Sequence, residues 1–176
     1  MLIEVAMKEL WEMDNVLVAD VMYSISQMEK APMDECPRRN AIRSIFAYIE
    51  AQIYTLKQAM AVMAQIEGFV LSDEDKEAIN ELSLKTGPKK KKISFKDNLV
   101  YALKLLKRVA RSDYEIDFTS PDYGLLMAGI PIRNRLMHPK SLQSLRVTKE
   151  DVLICMKGGR WLHDQMIGIV NSRGKA

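Results

Sequence analysis

The sequence predicts an all-α protein, an up-and-down helical bundle of five or six helices with two long antiparallel helices. Three observations lead there. Apolar residues recur every three or four positions along most of the chain, the period of an amphipathic helix. No stretch alternates apolar and polar residues over the length of a strand. The chain has 176 residues, 48% hydrophobic and 28% charged, the proportions and length of one globular domain over 1–176.

In the first segment Leu2, Ala6, Leu10, Met13, Leu17, Val21, Ile25 and Met28 lay one apolar stripe along a helix, which Pro32 ends. In the second, Pro37 suits a first helical position. Ile42, Phe46, Ile49, Ile53, Leu56, Met60 and Met63 then step by 4, 3, 4, 3, 4 and 3. That seven-residue repeat packs long antiparallel helices, and Gly68 offers a C-terminal cap. A shorter helix follows, capped by Ser72 or Asp73; its acids Asp73, Glu74 and Asp75 suit the positive end of a helix dipole better than a metal site.

Thr86-Gly87-Pro88 breaks the chain before four consecutive lysines. Ser94 caps a helix with an apolar face of Phe95, Leu99, Ala102, Leu103, Leu106 and Val109. Its other face carries Lys96, Lys104, Lys107, Arg108 and Arg111. Residues 112–120 form an acidic, aromatic loop. From Pro121 a helical segment runs into Pro131, which interrupts it, kinks it or starts a fresh turn. It resumes over Ile132 to His138 and stops at Pro139. Thr148 and Asp151, three apart, open the last helix as a variant capping box. Its stripe is Val152, Met156, Gly159, Leu162, Met166 and Ile169, with Gly158-Gly159 allowing close helix approach.

No run of about 18 uncharged apolar residues occurs, so no membrane span is expected. The first ten residues carry acids and lack a basic segment followed by an apolar core, so they do not read as a signal peptide. A cytoplasmic location follows by default. Two cysteines, Cys36 and Cys155, define no disulfide framework or zinc site. Two histidines far apart cannot build a histidine metal cage within one chain, so neither metal nor other cofactor is expected. Nucleophile-elbow, phosphate-loop and dinucleotide motifs are absent.

Net charge is only +3, but it is unevenly spread: residues 85–111 hold ten bases against Asp97 alone. Such asymmetry either serves solubility or draws a polyanionic partner. The remaining chemistry lies in Ile132-Arg133-Asn134-Arg135-Leu136-Met137-His138-Pro139. On one helix Asn134 and His138 share a face and Arg135 lies near it, while Arg133 is about 140° away around the axis. The residue before proline disfavours the α region, which puts His138 at the helix end. Arginine holds a phosphate with two parallel hydrogen bonds and offsets charge in the transition state. Histidine moves the proton of a ribose hydroxyl or of a departing oxygen. RNA carries its own nucleophile, so the pair suits phosphodiester cleavage. With ten arginines and two histidines, one chosen spacing arises by chance about 0.1 times. Spacing alone therefore favours a helix-capping histidine.

Arg133-Asn134-Arg135-Leu136-Met137-His138 resembles the Arg-x-x-x-x-His motif of the HEPN family of small helical bundles. It sits late in a helical chain, before a final helix. The resemblance implies one HEPN-like domain acting as a metal-independent endoribonuclease, of the kind found in toxin–antitoxin, phage-defence and RNA-processing systems. It assigns catalysis to Arg133 and His138 and a supporting polar role to Asn134. It also implies a homodimer with facing motifs, RNA as substrate leaving 2′,3′-cyclic phosphate ends, and an antitoxin or other regulatory protein as partner. The tyrosine that commonly sits two residues after the histidine in antitoxin-paired members is replaced by Lys140. Arg135, Lys140, Lys89, Lys90, Lys91 and Lys92 are the further expected RNA contacts, with Tyr101, Tyr114 and Phe118 as stacking candidates. The rival expectation is a non-catalytic helical module that binds nucleic acid or protein, in which Arg133 and His138 need not meet.

Overall fold

The computed structural model describes residues 2–66, 70–79 and 93–172. Among them are six α-helices and one 3-10 turn, with no strand. The helices are α1 (Leu2–Lys30), α2 (Glu35–Ile66), α3 (Asp73–Ile79), α4 (Phe95–Val109), α5 (Pro121–Met137) and α6 (Lys149–Asn171); the 3-10 turn spans Leu142–Leu145. The expected all-α bundle is therefore observed. α1 and α2 are the long pair, with 29 and 32 residues. No helix among the described residues is long and apolar enough to cross a membrane. Contacts divide the chain into two compact units: residues 11–51 with 117–164, and residues 1–10 with 52–116 and 165–176.

The unit of residues 11–51 and 117–164 joins parts of four helices. The Ser24 and Ser44 hydroxyls share a hydrogen bond of 2.9 Å, and Val21 and Ile25 line one cavity with Tyr48 and Ile45. Rising numbers on α1 meet falling numbers on α2, so the two run antiparallel. Gly158 meets Leu126, and Gly129 meets Cys155, so α5 and α6 are antiparallel too. The heptad residues Ile42, Phe46, Ile49 and Ile53 are buried. Met13, Leu17, Val21, Ile25 and Met28 are only half-buried. The opposite face of α1 stays open: Trp11, Met22 and Tyr23 are 66%, 63% and 67% exposed, and Val16 and Val18 are exposed beside them.

Three local features position the candidate site. α5 continues through Pro131, which lies on the exposed side of the helix. A proline costs a helix one hydrogen bond and one carbonyl clash, and surrounding packing offsets both. The phenyl ring of Phe46 packs against Gly129 at 3.1 Å from the position a Cβ would take, seating α5 on α2. Gly158 admits the backbone of Leu126: an added Cβ would stand 2.5 Å from its Cα. The close approach expected of Gly158-Gly159 is thus made by Gly158, while Gly159 meets Ile45 and Ile49 at ordinary contact distance. Thr148 and Asp151 form the reciprocal capping box that starts α6: each backbone N–H donates to the other's side chain, at 2.9 and 3.0 Å.

The other unit is held by a buried polar network. Ser72 caps α3 in a capping box with Asp75, whose N–H donates to the Ser72 hydroxyl at 3.1 Å while the Ser72 N–H donates to the carboxylate at 2.9 Å. That carboxylate also receives the Tyr101 hydroxyl and the Arg108 guanidinium from α4. Lys57, fully buried on α2, donates to the Ala78 carbonyl at 3.2 Å and to Asn98 at 2.9 Å. Ser94 caps α4 as expected. Gly168 accommodates the ring of Tyr114. Gly68 and Lys89–Lys92 lie outside the described residues.

Candidate functional site

α5 ends at His138, whose φ of −132° and ψ of 65° leave the helical region. Pro139 is the local cause, because its ring crowds the residue before it out of the α conformation. The His138 N–H still donates to the Asn134 carbonyl at 3.0 Å, so the motif occupies a regular last turn. His138 and Asn134 are exposed, and Arg133 is half-buried. Among the described residues the His138 imidazole has no hydrogen-bond partner. An imidazole in that setting is accessible to an incoming ligand.

Arg133 is already engaged. One terminal nitrogen donates to Asn134 Oδ1 at 3.1 Å. The other lies 2.6 Å from Glu50 Oε1 on α2, a charge-assisted contact. The guanidinium therefore leans toward α2, as its angular offset from His138 on a regular helix requires. No hydrogen bond joins Arg133 to His138 within the chain; Asn134 is the residue that links the two, through its side chain to one and its carbonyl to the other.

Arg135 points another way. Its guanidinium donates to the carbonyls of Ser144 and Arg146 and to Asp151 Oδ2, the last at 2.9 Å. Arg38 and Arg39 of α2 donate to the carbonyls of Val147 and Leu145, at 2.9 and 3.3 Å, and Arg43 reaches the Leu136 carbonyl at 3.4 Å. Arg135, Arg38 and Arg39 thus satisfy carbonyls of the segment after His138, and Arg43 one in the last turn of α5, where helix ends and loops leave carbonyls without partners. Arg146 closes the loop onto α2 through Glu35 at 3.0 Å. The hydrogen bond from Arg146 keeps the Glu35 carboxyl below its ordinary range. Lys140 is exposed beside this loop, its N–H donating to the Ser144 hydroxyl at 3.4 Å.

The stacking candidates have packing roles. Phe118 and Tyr123 surround Trp161, with ring centroids at 6.0 and 4.9 Å from the indole. Tyr101 binds Asp75, and Tyr114 lies on Gly168. Cys155 is buried, and burial first, then the Asp151 charge, pushes its thiol up to about 12; it holds no thiolate near neutrality and is no nucleophile. No group of three metal-ligating side chains occurs among the described residues.

Glu50 and Arg43 touch the motif segment, and Arg38 and Arg39 hold the loop after it; no motif in the sequence marks any of the four. They sit on the polar side of the α2 heptad, where charged residues ordinarily face solvent. Only the docking of α5 onto α2 identifies them. Within its six residues the motif holds one open imidazole, one amide and one paired guanidinium, the guanidinium turned toward α2. Comparison with family models, curated proteins and solved structures finds no match to this chain.

Proposed function

We propose that this protein is a metal-independent endoribonuclease of the HEPN type, acting on RNA as a homodimer. The observation that carries the reading is the last turn of α5. There the solvent-open His138 follows Asn134, whose side chain holds Arg133, and arginines from α2 reach the Leu136 carbonyl of this helix and the loop beyond it. In this reading His138 moves the proton of the 2′-hydroxyl or of the departing oxygen. Arg133 binds the phosphate and offsets its growing charge, and Asn134 steers the guanidinium. One imidazole cannot serve both sides of one phosphate easily, so a second copy related by a two-fold axis supplies the other. Arg135 contributes by holding the loop, and Lys140 by attracting the RNA backbone, together with Lys89–Lys92. A toxin or phage-defence role, with a regulatory protein as partner, is the biological setting this chemistry fits.

A second reading has its own support. Both terminal nitrogens of Arg133 are occupied within the chain, and α1 exposes an apolar face. These features suit a non-catalytic interaction module. Incubating the protein with RNA in EDTA separates the two, beside Arg133→Ala and His138→Ala variants of equal thermal stability. The ribonuclease reading expects cleavage to 2′,3′-cyclic phosphate ends by the parent, lowered at least about 100-fold in His138→Ala, the usual scale of general acid–base catalysis. Equal RNA binding without cleavage in all three proteins supports the module.

A further inference from the structure

We infer that Glu50 is an internal stand-in for the substrate phosphate, masking Arg133 until a phosphodiester displaces it. The identity of the displacing anion rests on the ribonuclease reading; the masking rests on geometry. The Glu50 carboxylate lies 2.6 Å from one terminal nitrogen of Arg133, where an arginine-bound phosphate oxygen would sit. Asn134 holds the other terminal nitrogen at 3.1 Å. Asn134 is neutral, so it fixes the guanidinium without cancelling its charge. Glu50 cancels it.

The pair is built to open. Glu50 is 41% exposed and Arg133 25% exposed at the side chain. The exposed side of the Glu50 carboxylate stays hydrated, which limits what the pair contributes, so an incoming dianionic stretch of backbone can replace the carboxylate. The neighbouring cations behave differently. Arg135 is committed to two carbonyls and Asp151, and the Arg43 guanidinium reaches the Leu136 carbonyl. They draw a polyanion toward the helix end without being released for it. Arg135 shares its carboxylate with two backbone carbonyls, which a phosphate does not replace, whereas Arg133 is held by the side chains of Glu50 and Asn134 alone. Once displaced, Glu50 stands beside the bound phosphate and repels it, which favours release of product.

The experiment compares the parent with Glu50→Gln in the full chain. One readout is the rate at which phenylglyoxal modifies Arg133, followed by peptide mass mapping. The other is affinity for a short 2′-O-methyl RNA, which binds without being cut. Glu50→Gln is expected to modify at Arg133 and to bind RNA about two- to fivefold better, the range of an exposed ion pair. The RNA effect should vanish in an Arg133→Met background and be absent in Glu150→Gln, a charge control on exposed α6. An unchanged modification rate overturns the proposal. So does a gain in RNA affinity that persists in Arg133→Met, because it then reflects net charge alone. Faster modification with no RNA binding by any form upholds the mask and removes RNA as the displacing anion, a failure of the ribonuclease reading alone.

Discussion

Asp75 shows how one side chain changes meaning between sequence and structure. As one of three acids opening a short helix, it reads as a cap. The cap is real, yet the same carboxylate is buried and holds Tyr101 and Arg108 of α4. Burial opposes its ionisation; the hydrogen bonds from Tyr101, Ser72 and Arg108 outweigh burial and bring it down to about 2 from an ordinary 3.8. A carboxyl depressed on folding stabilises the native state above its ordinary value and stops doing so as pH falls toward the folded one. The shift is worth about 2 kcal/mol, all of it present at pH 7 and lost between about pH 4 and 2. Urea midpoints for the parent and Asp75→Asn should therefore differ at pH 7 and converge on acidification. Lys57 makes the same point in reverse. Beside the heptad it resembles any solvated lysine, and only the approach of α3 and α4 encloses it.

At the scale of elements, boundaries follow local chemistry. Proline, the Ser72 and Ser94 caps and the Thr148–Asp151 box each act within one turn, and each is legible before any packing is known. The end of α4 is not. There Arg111 adopts a left-handed φ of 50°. Its N–H donates to the Arg108 carbonyl and the Ser112 N–H to Lys107, a Schellman closure without the usual glycine. Arg111→Gly should stabilise the protein by about 1 kcal/mol, the strain of a side chain in that region, seen as a raised midpoint in urea. The contact between α5 and α6 predicts the opposite sign for another glycine. A methyl group at Gly158 would strike the backbone of Leu126 at 2.5 Å, which cannot rotate away. Gly158→Ala should cost about 1–3 kcal/mol, measurable by thermal unfolding.

For the molecule as a whole, the described residues form two compact units, and α1, α2 and α6 each contribute residues to both. The unit that carries the motif also carries the open apolar face of α1. Because Trp11 is two-thirds exposed, Trp11→Ser should shift stability by no more than about 0.5 kcal/mol; a larger loss, or loss that depends on protein concentration, would mean that the face is covered in solution. The sequence by itself determined the helices, most of their ends, the buried stripe of α2 and the turn that carries Arg133, Asn134 and His138. Those depend on period, capping and proline sterics, which act over a few residues. Tertiary structure alone decided that Glu50 pairs with Arg133, that Arg135 braces a loop, and that Lys57 and Asp75 are buried. Each is a contact between helices distant in the chain, set by which polar face docks against which, and periodicity carries no record of that choice.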